Sequence, residues 1–129
     1  MLGPMRASAW SVGVRSGLAL GVCVIGLAVI GLTPALSFVP EAPLVSIAIV
    51  LPIVTFALTG SRAAVRAGRW SDGALAGAVA GSISGGIGGI AYVVFGKSAL
   101  NIVIGLALGA IGGAVIAGAA AITTRARRP

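Results

Sequence analysis

Residues 73–96 read GALAGAVAGSISGGIGGIAYVVFG, twenty-four residues without a charge, in which Gly73, Gly77, Gly81, Gly85 and Gly89 fall at every fourth position. A hydrocarbon core of about 30 Å takes about 20 helical residues to cross, so this stretch reads as a transmembrane helix. Working outward, three more uncharged stretches flank it, at 16–40, 42–61 and 98–124, and together the four absorb 96 of 129 residues. Only 11 residues are charged, 58% are apolar, 21 are glycine, and the mean hydropathy is +1.14. Soluble chains carry about a quarter charged residues. The expected fold is therefore an all-α membrane protein, a single domain over 1–129, with helices at about 16–38, 44–60, 73–95 and 99–123. No room is left for a soluble domain.

The glycine row of helix three is repeated in helix four by Gly105, Gly109 and Gly113, continued by Ala117 and Ala121. Helix one has a shorter version in Gly13, Gly17 and Gly21. Lipid supplies no hydrophobic drive between helices, so association rests on close backbone approach, which small residues at i and i+4 permit, often with right-handed crossings near −40°. Helices three and four are expected to pack intimately. Gly85, Gly86, Gly88 and Gly89 leave nearly every side of helix three bare, which implies that several helices, or several copies of the chain, converge there. Helix two has no glycine before Gly60 and carries Leu44, Ile47, Ile49, Leu51, Ile53 and Phe56, as expected of the more lipid-exposed helix.

Charge sets the orientation. If all four stretches span, one side holds Arg6, Arg15, Arg62, Arg66, Arg69, Arg125, Arg127 and Arg128, and the other holds Lys97 alone with Glu41 as its acid. The positive-inside rule then places both termini and the middle loop in the cytoplasm, in the cell's inner (plasma) membrane. Trp10 and Trp70 fall at the inner interface, and Phe38, Tyr92 and Phe95 near the outer one. Arg62, Arg66 and Arg69 at i, i+4 and i+7 would share a face toward anionic headgroups, each basic residue contributing about 1 kcal/mol near such a surface. Asp72 reads as an N-cap of helix three. Arg6 and Arg15, the apolar run 17–32 and Ala35-Leu36-Ser37 also have the layout of a signal peptide with a small-residue cleavage site. That run of 16 exceeds the usual apolar core of a signal, so a retained first helix is expected.

A net charge of +7 and a pI near 11.8 would suggest nucleic acid in a soluble protein, but here topology accounts for the charges and no nucleic-acid partner is expected. Cys23 is the sole thiol. Catalysis needs a nucleophile, a base and an orienting group, and the spans have no His and no internal carboxylate. One Cys cannot build a metal site. The expectation is no enzyme, no cofactor and no metal. At the depth of the bilayer midplane lie Pro52, Ser82 and Ser84, points of helix weakness of the kind that transporters use for binding.

Gly60-Ser61-Arg62-Ala63-Ala64-Val65-Arg66-Ala67-Gly68, then Asp72-Gly73 and Gly77, and later Gly109, Gly112 and Gly113, resemble uncharacterised small four-helix prokaryotic membrane proteins over roughly the second half of the chain. The resemblance implies the same membrane fold and brings no activity with it. The small multidrug resistance transporters share the length, but they carry a carboxylate within the first helix, and residues 17–32 have none. The sequence thus points to a small non-catalytic packing or accessory module, associating with itself or with a larger membrane complex. The alternative is a small oligomeric channel or carrier for a neutral or hydrophobic solute.

Overall fold

A computed structural model of the chain describes residues 4–32, 38, 40–67 and 69–126. They form four helices, α1 (Pro4–Leu32), α2 (Glu41–Ala67), α3 (Trp70–Val94) and α4 (Leu100–Ala126). All four are long and apolar enough to cross a membrane. At 1.5 Å per residue each measures roughly 40 Å, which exceeds the hydrocarbon core and reaches through the headgroups. Val22, Ile49, Val94, Leu108, Ile111 and Val115 are each more than half exposed. Apolar surface on that scale marks contact with lipid or protein, and the four helices are compatible with a small multi-pass integral membrane protein.

Every helix departs from its expected bounds. α1 spans Pro4–Leu32 and so starts well before residue 16, proline being well placed in a first helical position. The connection around Thr33-Pro34 and the candidate cleavage site Ala35-Leu36-Ser37 lie outside the described residues, as do Arg127 and Arg128. α2 spans Glu41–Ala67 instead of 44–60 and takes Pro43 into its first turn, where an amide donor is not needed. α4 spans Leu100–Ala126 instead of 99–123.

α3 spans Trp70–Val94 instead of 73–95, so Asp72 is not its N-cap. Arg69 holds that position in extended conformation, without a side-chain cap bond, and Asp72 sits in the first turn, where a carboxylate favours the helix dipole. Arg69 therefore lies beyond α2, and the expected face of three arginines reduces to exposed Arg62 and Arg66. One physical cause underlies these differences. Uncharged runs mark where hydrocarbon can begin, whereas a helix ends where its backbone bonding ends, and long basic side chains let it continue into the headgroups.

The α3–α4 connection is closed by backbone bonds. Gly96 N–H donates to Val93 O at 2.9 Å and Lys97 N–H to Tyr92 O at 3.0 Å, the pattern of a Schellman cap. It requires the left-handed conformation that Gly96 adopts at φ 83. Ser98 precedes α4 by two residues, its Oγ accepting from Leu100 N–H at 3.2 Å. A five-residue connection makes α3 and α4 antiparallel neighbours.

α3 is the axis of the bundle: 44% of its spanning window is buried, against 11% for α2. α4 packs along one side of α3 and α1 along another, and among the described residues α1 and α4 do not touch. α2 contacts all three. Two small apolar clusters lie where they converge, one of Ala9, Val12, Ala63 and Ala76, the other of Leu20, Phe56 and Ala80.

Candidate functional site

The glycine rows of α3 and α4 face one another in antiparallel step. Gly77 lies against Gly113, Gly81 against Gly109 and Gly85 against Gly105, and a methyl group on any of the six would overlap the carbonyl oxygen of its partner. At the ends of the row, a Cβ on Gly89 would stand 2.5 Å from Ile102 Cα, and one on Gly73 would stand 2.5 Å from Ala121 Cβ. Real Cβ atoms do not approach so closely. Backbone touches backbone along this seam because no side chain intervenes.

α1 approaches α3 from another side. A Cβ on Gly13 would stand 2.6 Å from Ala76 O, and one on Gly17 would stand 2.9 Å from Ala80 Cα. A third close point joins three helices, since a Cβ on Gly60 of α2 would stand 2.6 Å from Ala117 Cα and one on Gly73 would stand 2.9 Å from Gly60 O. Beside it, Thr124 Oγ1 bonds Ser61 Oγ at 3.0 Å, tying α4 to α2.

The crowded glycines of residues 84–89 are all occupied within the chain. Gly85, Gly86 and Gly89 meet α4, and Gly88 meets Val24 of α1. Gly26, Gly31 and Gly112 face open space.

The three midplane residues differ in their surroundings. Ser84 is buried and its Oγ donates to Gly81 O at 3.3 Å, while half-buried Ser82 donates to Ala78 O at 2.8 Å. Both hydroxyls are thus spent inside α3. Pro52 lies elsewhere, at the deep end of a groove of about 660 Å³ between residues 20–31 of α1 and 41–52 of α2, with Tyr92 of α3 at its edge. Neither serine lines it.

α2 carries two features that favour bending beside the groove. Pro52 has no N–H for Ala48 O, and one turn on, Thr55 Oγ1 donates to Leu51 O at 2.7 Å and Thr59 Oγ1 to Thr55 O at 2.7 Å. Such back-bonding bends helices. Phe56, Thr59, Gly60, Ala63 and Ala64, after Pro52, are buried, while no residue of 41–50 is.

Asp72 is the residue that sequence reasoning placed worst. It was expected at a solvated helix end, yet it is only 4% exposed. α1 starts at Pro4 and α2 continues to Ala67, so both reach past it, and it shares the face of α3 that carries Ala76 into the cluster with Ala9, Val12 and Ala63. The signal for this was the position of Asp72 one turn before Ala76 and two before Ala80 on one helical face.

Compared with known proteins, the chain matches no family, no curated protein and no solved structure.

Proposed function

We propose that the chain is a small non-catalytic module of the prokaryotic inner (plasma) membrane, with both termini cytoplasmic. Its glycine rows act as a zipper within its own bundle, and its outer faces join a second copy or a larger membrane complex. One observation carries this reading. Ser46, Thr55, Thr59, Ser82, Ser84 and Thr123 each spend their hydroxyl on a carbonyl of their own helix, so these groups build no polar path, while the outer surface is aliphatic. Exposed Arg15, Arg62, Arg66 and Arg69 at the end with the basic excess suit anionic headgroups. The resemblance to small four-helix prokaryotic membrane proteins agrees in fold and adds no activity.

Two measurements test it. Reporter fusions after Pro129 and within residues 62–72 should read cytoplasmic, and one at Lys97 should read external; an external C-terminus would sink the topology. Cys23 is exposed on α1 and is the sole thiol, so mild oxidation of native membranes reports α1–α1 contact directly. A disulfide-linked dimer supports self-association through α1. A strictly monomeric protein, by this crosslink and by mass in detergent, leaves only the larger-complex form.

A second reading, an oligomeric channel or carrier for a neutral or hydrophobic solute, is favoured by the groove at Pro52. Solute flux in proteoliposomes that Pro52→Ala abolishes would establish it over the packing module.

A further inference from the structure

Arg15 stands deeper than every other described charge at the basic end of the bundle. α1 lies against α3 at Gly13 with Ala76 and at Gly17 with Ala80, two steps that bracket Arg15 and set it level with Ala78. α3 runs from Trp70 to Val94, so its middle residue is Ser82. Ala78 is one turn from that level, about 6 Å at 1.5 Å per residue. Half of a roughly 30 Å hydrocarbon core is about 15 Å, and Arg15 is therefore rooted about 9 Å inside its boundary. The other described charges of this end lie outward. Arg69 and Asp72 precede Gly73, and Arg62 and Arg66 follow Gly60, which lies against Gly73.

Neither acidic side chain of the molecule reaches it. Glu41 opens α2 at the far end of the bundle, beside Tyr92. Asp72 is buried on the face of α3 that carries Ala76, about 9 Å outward of Ala78. Arg15 points the other way. Gly13 and Gly17 both face α3, and a residue midway between them, about 200° around the helix from each, faces away from α3. Arg15 is exposed, as are Ser11, Leu18, Val22 and Gly26 on the same face, and an added Cβ on Gly26 meets no atom within 4 Å. A charge within a membrane is costly, and such charges pair with one another or face a polar interior.

We propose that this face of α1 docks against a transmembrane helix of a different protein, one that carries an Asp or Glu at the depth of Arg15. Charge complementarity selects the occupant. A second copy in the same orientation brings only Arg15, a buried Asp72, and Glu41 at the opposite end. A lipid phosphate stays at the headgroups and meets Arg15 only if the side chain is drawn back along Ser11, one turn nearer that surface. A carboxylate on a helix meets the guanidinium where it is rooted and accepts its paired N–H donors. Side-chain size favours a helix too. Exposed Ile47, Ile49, Ile111 and Val115 on α2 and α4 are bulky aliphatics that lipid solvates, whereas Ser11 and Gly26 leave room for a second backbone beside Arg15. The inference rests on the membrane-embedded reading above and gives its larger-complex form a partner chemistry.

The test uses the full chain in phosphatidylcholine vesicles at alkaline pH. Cys23→Ser with Val103→Cys puts a donor dye on the exposed face of α4, a helix that α1 does not touch among the described residues. The probe is a synthetic polyleucine transmembrane helix with an acceptor dye and a single Glu about 9 Å inside its boundary. A companion helix carries Gln at that place. By energy transfer the Glu helix should associate about tenfold more tightly than the Gln helix, near the low end of coupling between close charge pairs. Arg15→Leu, which keeps α1 apolar and helical, should remove the difference. Arg62→Leu, which deletes a charge lying outward, should retain it.

Equal association of the two helices with the parent chain would overturn the proposal, as would a Glu preference that survives Arg15→Leu. Loss of the preference when phosphatidylglycerol replaces phosphatidylcholine would overturn it in favour of a lipid phosphate at Arg15. Energy transfer between donor-labelled and acceptor-labelled copies of the chain, abolished by Arg15→Leu, would overturn it in favour of a second copy. Failure of the chain to enter vesicles as a helical protein would strike the membrane-embedded reading itself.

Discussion

Along α3 and α4 two backbones meet with nothing between them, whereas residues 20–31 of α1 and 41–52 of α2 stand apart around a groove of about 660 Å³. Hydropathy does not explain the difference. The window of α2 is the more apolar, at 2.2 against 1.5 for α3, yet 11% of it is buried against 44%. In water the order would be reversed, because apolar area drives burial there. In lipid a bulky aliphatic side chain is as well solvated outside the bundle as inside, so small residues determine which helices come close. Leu44, Val45 and Leu51 stand between α2 and α1 across the groove, in the half of the bundle where Gly85 and Gly89 draw α3 onto α4.

The largest expected effect follows from filling the seam. Gly81→Leu or Gly85→Leu forces the carbonyl of Gly109 or Gly105 to retreat, and no flexible side chain is present to yield. Overpacking of that kind costs about 3 kcal/mol, so either variant should fail a bilayer unfolding assay in which Ile53→Leu, on an exposed position of α2, is indistinguishable from the parent. Equal tolerance of all three would erase the contrast between the regions.

A smaller loss is expected at the α1–α3 contact. A Cβ on Gly17 meets Ala80 Cα and O at 2.9 Å but also the side chain of Ile83 at 3.0 Å, and among the described residues α1 makes no contact with α4 that would pin it. α1 can therefore move away as a unit. Gly17→Leu should cost about 2 kcal/mol, with the α3–α4 hairpin left intact by crosslinking between cysteines placed at positions 82 and 110. Loss of that crosslink would mean the bundle folds as one cooperative unit rather than as a hairpin with α1 added.

The groove side should respond in the opposite direction. Pro52→Ala returns a donor to Ala48 O and removes one feature of α2 that favours bending. An interior proline costs about 3 kcal/mol in an undisturbed helix, and because Thr55 and Thr59 still bond backward, about 1 kcal/mol of gain is expected. In a Trp10→Phe/Trp70→Phe background, quenching of a Leu44→Trp reporter in the groove by brominated lipid should fall as the groove narrows. Unchanged quenching would place the cause of the separation in the bulky side chains alone.

How much of this was legible in the sequence varied with the kind of signal. Four uncharged runs were enough to reveal four helices, because crossing length is set by the bilayer. The row from Gly73 to Gly89 was visible as spacing, but its register against Gly105–Gly113 depends on the five-residue turn at Gly96, whose left-handed geometry no composition count contains. Helix ends were misjudged wherever a charge was treated as a boundary, at Arg15, Glu41, Arg62 and Asp72. That error hid the burial of Asp72, since the covering turns of α1 and α2 lie in the segments left out. Pro52 was visible as a weak point, and Ser82 and Ser84 were grouped with it by depth; spacing alone did not reveal that both serine hydroxyls bond carbonyls of their own helix.

The smallest expected effect tests the lesson most closely, because it asks whether glycine matters at all where nothing lies against it. Gly112 is one residue from Gly113 on α4, but an added Cβ there meets no atom within 4 Å. In a soluble helix Gly→Ala at such a position would stabilise by about 0.5–1 kcal/mol through backbone entropy. In a bilayer the separated helices remain helical, since lipid leaves no other way to satisfy their backbone groups, so that gain cancels between the folded and dissociated states. Gly112→Ala should therefore change stability by less than about 0.5 kcal/mol, while Gly109→Ala, which drives a methyl against Gly81 O, should be clearly destabilising. The pair differs by three positions on one helix and by one added carbon in each case. If Gly112→Ala instead cost as much as Gly109→Ala at high protein density and nothing at low density, a second chain would have to seat on that face, and α4 would carry close approaches on two sides instead of one.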